Sequence, residues 1–187
     1  MLDPFIIPYK LLLILFIAII IGGIFYKIYC KNRFVLKTRK QVKNISYDYI
    51  ENAILDNGVD QYAQFDYLVL TQLGILVIEI KDYSGHIFGA EKIDEWTQII
   101  DRKSYKFSNP FFDLDYKIEL LKDLNKELRI DGVILFTDEA DFPKGCPDNV
   151  INLKNLKDHY SKLGKQDIPA IFQGPWGVIK EKIQKAT

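Results

Sequence analysis

Asp66, Glu79 and Lys81 are the residues of this chain best placed to do chemistry, because each is an ionisable group inside a run that otherwise reads as buried strand. Phe65 to Thr71 is aromatic or aliphatic apart from Asp66, and Gly74 to Lys81 is apolar until Glu79. Gln72, Leu73 and Gly74 supply the turn between them, so the two runs form a hairpin. Side chains alternate along a strand, which puts Ile75, Val77, Glu79 and Lys81 on one face and Leu76, Ile78 and Ile80 on the other. Both faces are greasy, as in a central strand, and charge held there is costly unless something compensates it.

Two carboxylates converging on one point make a hard-oxygen site for Mg²⁺ or Mn²⁺, ions that bind phosphate oxygens and acidify a water. A lysine two residues after such a ligand leans over the same point, where it can orient that water or neutralise charge developing on a phosphate. A plain ion pair needs no metal. A two-residue Leu73-Gly74 loop sets Asp66 opposite Lys81, whereas a three-residue loop sends Asp66 to the other face. Asp followed by Glu-x-Lys arises often by chance, so the surroundings decide.

Those surroundings resemble a known family. Phe65, Asp66, Tyr67, Leu68, Val69, Leu70 and Thr71 are followed by Gly74 to Lys81, then by Tyr83, Gly85, Ile87 and Gly89, then by Trp96 and Asn109-Pro110. That order and spacing is similar to the nuclease-related domain (NERD), a branch of the restriction-endonuclease-like PD-(D/E)xK superfamily, over about Tyr47 to Phe136 and more loosely beyond. The resemblance implies an α/β fold, a restriction-endonuclease-like mixed β-sheet flanked by helices, and a metal-dependent nuclease that hydrolyses phosphodiester bonds of DNA or RNA. It also implies that Asp66 and Glu79 hold Mg²⁺ or Mn²⁺ with help from the Ile80 carbonyl, and that Lys81 positions the attacking hydroxide.

Two departures from the family pattern support another expectation, a catalytically degenerate domain that binds nucleic acid or a protein partner. Members usually open with a Gly-Glu helix whose glutamate adds an acid to the metal site. Between Lys31 and Tyr47 this chain has no Gly-Glu and no acid, and Glu51, the nearest substitute, falls on an expected strand. A glutamine is common three residues after the proline of Asn109-Pro110, where this chain has Asp113.

The chain divides by composition into an anchor (residues 1–30), a basic juxtamembrane connector (31–46) and a nuclease-related domain (47–187). Leu11 to Tyr26 carries no charge, and its flanks extend the apolar stretch to about 25 residues, more than a bilayer core requires. Lys10 and Lys27 can snorkel at its edges. No small-residue cleavage site follows it, so a retained single-pass anchor is expected rather than a signal peptide. Only Lys10 precedes the span, whereas Lys27, Lys31, Arg33, Lys37, Arg39, Lys40 and Lys43 follow it, which orients the globular part towards the cytosol. Two widely separated cysteines, Cys30 and Cys146, give no disulfide framework and fit that reducing compartment.

Charge is polarised. Residues 1–43 hold 8 of the 25 Lys and Arg and 1 of the 25 Asp and Glu, which leaves 17 basic residues against 24 acidic in the domain. Nucleic-acid binders usually show a basic face, and here only a local patch is available, such as Arg102, Lys103 and Lys106. The cations beside the span suit anionic lipid headgroups.

Around the central hairpin, Tyr47 to Leu55 reads as a first strand and Asp56-Asn57-Gly58 as a turn, with short strands at Gly85 to Gly89 and Trp96 to Asp101. The connector fits a short helix or an extended linker equally. From Pro110 the apolar period becomes helical through Phe111, Leu114, Ile118, Leu121, Leu124 and Leu128, with Ser108 or Asn109 as cap and an end near Leu128 to Arg129. Gly132 to Thr137 is a buried strand joined by a crossover, and Val150 to Leu153 a last short strand. Asn155 to Lys162 and Pro169 to Lys185 are closing helices, the second interrupted at Gly174-Pro175. His86 and His159 read as surface or hydrogen-bonded residues, and Trp96 and Trp176 as core aromatics.

Overall fold

The computed structural model describes residues 6–56, 62–126, 129–160 and 170–185. The expected turn at Asp56-Asn57-Gly58 and the tail of the Asn155 to Lys162 helix fall partly outside these residues.

The chain separates into two compact units, residues 1–39 and 40–187. The first is helix. It belongs to α1 (Ile6–Ile45), a 40-residue helix that runs through the basic connector without a break, so the helical alternative for residues 31–45 is the one adopted. Its Leu11–Ile45 portion contains the one helix, among the described residues, long and apolar enough to cross a membrane. At a rise of 1.5 Å per residue α1 is about 60 Å long. The side chains from Leu11 to Tyr29 are uniformly exposed in the chain by itself. The final turns of α1 belong to the second unit, where Val42 and Ile45 are buried.

In the second unit, β1 (Asp48–Asp56), β2 (Tyr62–Thr71) and β3 (Gly74–Lys81) form an antiparallel meander. A crossover through α2 (Pro110–Leu124) then adds β7 (Ile130–Phe136) parallel to β3, and β9 (Val150–Asn152) parallel to β7. With β10 (Gln184–Lys185) on β1, the order is β10-β1-β2-β3-β7-β9. β3 is therefore central, as its two apolar faces demand. A second sheet, order β6-β5-β4-β8, is built from β4 (Gly85–Phe88), β5 (Glu95–Ile100), β6 (Lys103–Ser108) and β8 (Ala140–Asp141). The domain is thus mixed α/β, two mixed sheets with helices α2, α3 (Leu153–Tyr160) and α4 (Ala170–Lys182).

Two expectations are corrected. α2 stops at Leu124, short of Leu128, because Asn125 leaves the helix in an extended conformation (φ −159°). α4 is continuous through Pro175 rather than interrupted. Its missing N–H falls in the exposed first half of the helix, where the unmatched carbonyl four residues earlier can face solvent. β6, where only Tyr105 and Phe107 alternate, was not read from the sequence; five of its six residues are exposed and it forms the sheet's edge.

Both tryptophans are core. Trp96 is fully buried, stacked on Phe136 with centroids 6.2 Å apart, and its Nε1 donates to the Ala90 carbonyl. Trp176 donates to Asp48 Oδ2.

Two positions fix α2 over the central sheet. Asn109 caps the helix by accepting from the Phe111 N–H at 3.0 Å, and its amide donates to the Glu91 and Ile93 carbonyls. At Gly132 a Cβ would lie 2.7 Å from the Ile118 Cδ1 and 2.8 Å from the Leu114 Cδ1, so glycine makes room for these side chains of α2 against β7.

Candidate active site

The register of the central hairpin settles where the expected residues fall. Thr71 pairs with Gly74, so the turn is Gln72-Leu73, and pairing continues to Tyr67 opposite Ile78. One step further, Asp66 comes level with Glu79, not with Lys81, which corrects the pairing of Asp66 with Lys81 by the Leu73-Gly74 loop. The regular ladder ends there. Asp66 instead uses its side chain, Oδ2 accepting from the Ile80 N–H at 2.7 Å.

The cause is a coordinated slip in β1 and β2. Core-facing residues run Ile50, Ala53, Leu55 on β1 and Leu70, Leu68, Phe65, Ala63 on β2, so alternation shifts by one at Asn52 and at Asp66. Asn52 takes a left-handed φ of 52°, and the two strands regain their pairing on the far side, at Ala53 with Phe65. A matched irregularity of this kind re-aims a side chain without changing register. Asp66 is thereby freed to turn towards the end of β3.

Glu79 sits on the core-facing side of β3 and is 2% exposed. Burial pushes its carboxyl up to about 7, and the nearby Asp66 charge adds to that, while Lys117 and Lys81 pull it down. The Lys117 ammonium donates to Glu79 Oε1 at 2.7 Å and to Asp113 Oδ2 at 2.8 Å. Burial alone would lower Lys117, but Glu79 and Asp113 outweigh it and hold its pKa above the usual lysine value. Lys81 Nζ lies 3.8 Å from Glu79 Oε2 and keeps 24% of its side chain exposed. The three expected residues are therefore brought to the end of one buried strand, with a second ammonium that was not anticipated.

Lys117 is the residue that sequence reasoning passed over. It occupies the buried stripe of α2 with Phe111, Leu114 and Leu121, three residues after Leu114 and four before Leu121. A lysine at that spacing on an apolar helix face signals a buried acid opposite it. Asp113, i−4 to Lys117 and half exposed, reaches the cluster through that ammonium. Glu51 does not substitute for the family's extra acid: it accepts from the Tyr67 hydroxyl at 2.8 Å, on the side of the sheet away from Glu79. The first helix is present, but residues 32–45 supply it with no acid.

Among the described residues no group of three His, Cys, Asp or Glu stands close enough to hold a metal. Asp66 has Oδ1 outside its hydrogen bond to Ile80, Glu79 has Oε2 facing Lys81 at 3.8 Å, and Ile80 is the next-to-last residue of the same strand. Such a donor set suits a hard cation that retains waters and takes oxygens from a phosphate, as Mg²⁺ does, rather than one needing a full protein cage. His86 contacts Asp141 at 3.0 Å on the exposed side of the second sheet, and His159 is exposed on α3, so neither takes part.

A mixed α/β domain whose central strand ends in a buried carboxylate, with a second carboxylate and two ammonium groups drawn to it, is the class that fold and site define. The chain belongs to the nuclease-related domain family, whose model matches residues 29–137. It is 39% identical over 66 residues to an uncharacterised protein of Bacillus anthracis, a match covering 35% of this chain and 31% of the relative. The chain thus spans less than a third of that relative's length. No solved structure matches it.

Proposed function

We propose that this protein is a membrane-anchored, metal-dependent nuclease acting on phosphodiester bonds of DNA or RNA. The observation that carries this reading is Glu79, buried at the end of β3 with the Asp66 charge felt beside it and the Lys81 ammonium 3.8 Å away. Asp66, Glu79 and the Ile80 carbonyl would hold Mg²⁺ or Mn²⁺, which when bound supplies an acidified water and a Lewis acid for the phosphate. Lys81, partly exposed, orients the attacking oxygen and offsets charge on the phosphate. Lys117 fixes Glu79 Oε1 and leaves Oε2 turned towards Lys81. Leu11 to Tyr26 supplies the membrane span, and the seven cations from Lys27 to Lys43 put the domain on the cytosolic side.

A second reading is favoured by one observation: Lys117 already neutralises Glu79, and the first helix brings no acid. The domain would then bind a nucleic acid or protein without cleaving it. The two separate in one experiment on the full chain in detergent micelles. The nuclease predicts Mn²⁺ binding by calorimetry and cleavage of DNA or RNA, with Glu79→Gln losing both and Lys81→Ala losing cleavage while still binding the ion. Cleavage unaffected by either substitution overturns the catalytic assignment, and absence of Mn²⁺ binding in the wild type leaves the binding domain.

A further inference from the structure

We infer that the β5–β6 hairpin is an arm that binds a single-stranded segment of nucleic acid, Arg102 and Lys103 taking backbone phosphates and Tyr105 stacking on an unpaired base. The inference rests on the nucleic-acid reading above and names the residues that would hold the strand.

The hairpin is joined to the candidate site through the core. Phe136 is the register partner of Lys81 and carries the Trp96 ring stacked on it. Trp96 pairs across the hairpin with Phe107, and Phe107 stacks on Tyr83 at 4.5 Å, two residues beyond Lys81. Alternation along β6 then places Tyr105 and Lys103 on the same face as Phe107, progressing outward from that core contact. Gln98, the partner of Tyr105, donates to the Ser84 carbonyl at 2.7 Å and pins this part of the arm to the segment leaving β3. The face that begins at Lys81 therefore continues, through Tyr83 and Phe107, into Tyr105 and Lys103.

The outer part of the arm serves no core. Residues 101–106 are all exposed, and Tyr105 is 48% exposed on an edge strand that, among the described residues, pairs only with β5. The turn adds a second observation. Ile100 pairs with Lys103, and Asp101 and Arg102 both have positive φ, 50° and 62°. Two-residue turns of this type favour Asn and Gly, so an arginine at the second position costs conformational energy. A cation is retained where the backbone would prefer glycine. Lys106 is excluded from the patch because Glu95 holds it at 2.6 Å. Cations flanking an exposed aromatic are the combination that tracks a strand's phosphates and stacks its bases, and a local patch is what an acidic domain needs for this.

The test is binding, not cleavage, measured by fluorescence anisotropy on the full chain in neutral detergent with EDTA present. The probes are a labelled oligothymidylate and a duplex of equal length. Arg102→Gly relieves the positive φ, so it cannot act by unfolding the turn. Arg102→Gly and Lys103→Ala should each weaken oligothymidylate binding about five- to tenfold and flatten its salt dependence. Tyr105→Ala should weaken the single strand by about fivefold or more and leave the duplex within about twofold. Unchanged affinity in Arg102→Gly and Lys103→Ala, or equal loss on both probes in Tyr105→Ala, overturns the inference. Mn²⁺ binding by the wild type, measured in parallel by calorimetry, reports on the nuclease reading alone, so failure of the arm and failure of that reading give different results.

Discussion

Glu79 and Lys117, 38 residues apart in sequence, share a 2.7 Å ion pair in which both side chains are more than nine-tenths buried. One comes from the central strand and the other from the apolar stripe of the crossover helix. The pair sets the electrostatics of the site, since Lys117 offsets the burial that raises Glu79 to about 7.

Stability should depend on pH through Glu79. Its folded pKa lies above the ordinary value of 4.5, so the folded state favours the protonated form. The contribution is complete below about pH 4.5 and is lost as pH rises through 7. Lys117, raised, stays charged across this window. Thermal melts in EDTA should show the Glu79→Gln variant losing less stability than wild type between those pH values, the difference approaching on the order of 3 kcal/mol. Parallel curves for the two proteins would contradict it.

Removing the partner should hurt more than removing the pair. Lys117→Met leaves Glu79 buried beside Asp66 without its main counter-ion, and about 3 kcal/mol of stability at pH 8 is expected to go. The double variant Lys117→Met with Glu79→Gln should recover a large part of that loss in urea denaturation. If the two substitutions are simply additive, the coupling is absent.

Gly132→Ala tests how α2 is held. The new methyl meets the side-chain ends of Leu114 and Ile118 below 3.0 Å, so those side chains, or the helix that carries them, must shift. A cost of about 1–3 kcal/mol is expected, together with weaker Mn²⁺ binding because Lys117 moves off Glu79. A variant as stable as wild type would show that the helix has room to spare.

Topology can be read from the two free cysteines, both exposed. With the domain in the cytosol, a membrane-impermeant maleimide should label neither Cys30 nor Cys146 in intact cells and both after permeabilisation. Labelling of Cys146 before permeabilisation would reverse the orientation.

The amino-acid sequence by itself determined the strands around Asp66 and Glu79, the crossover helix, and the apolar first helix. These follow from periods of two and 3.6 and from composition, which act over a few residues. Tertiary structure alone decided the rest. The paired slip at Asn52 and Asp66 depends on two strands deviating together, and Lys117 becomes part of the site only when α2 packs against the central sheet. Edge strand β6 was missed because its alternation is limited to Tyr105 and Phe107, too short to mark a strand. Local patterning fixes which segments fold, whereas the charge balance around Glu79 arises from side chains that meet only when distant elements pack.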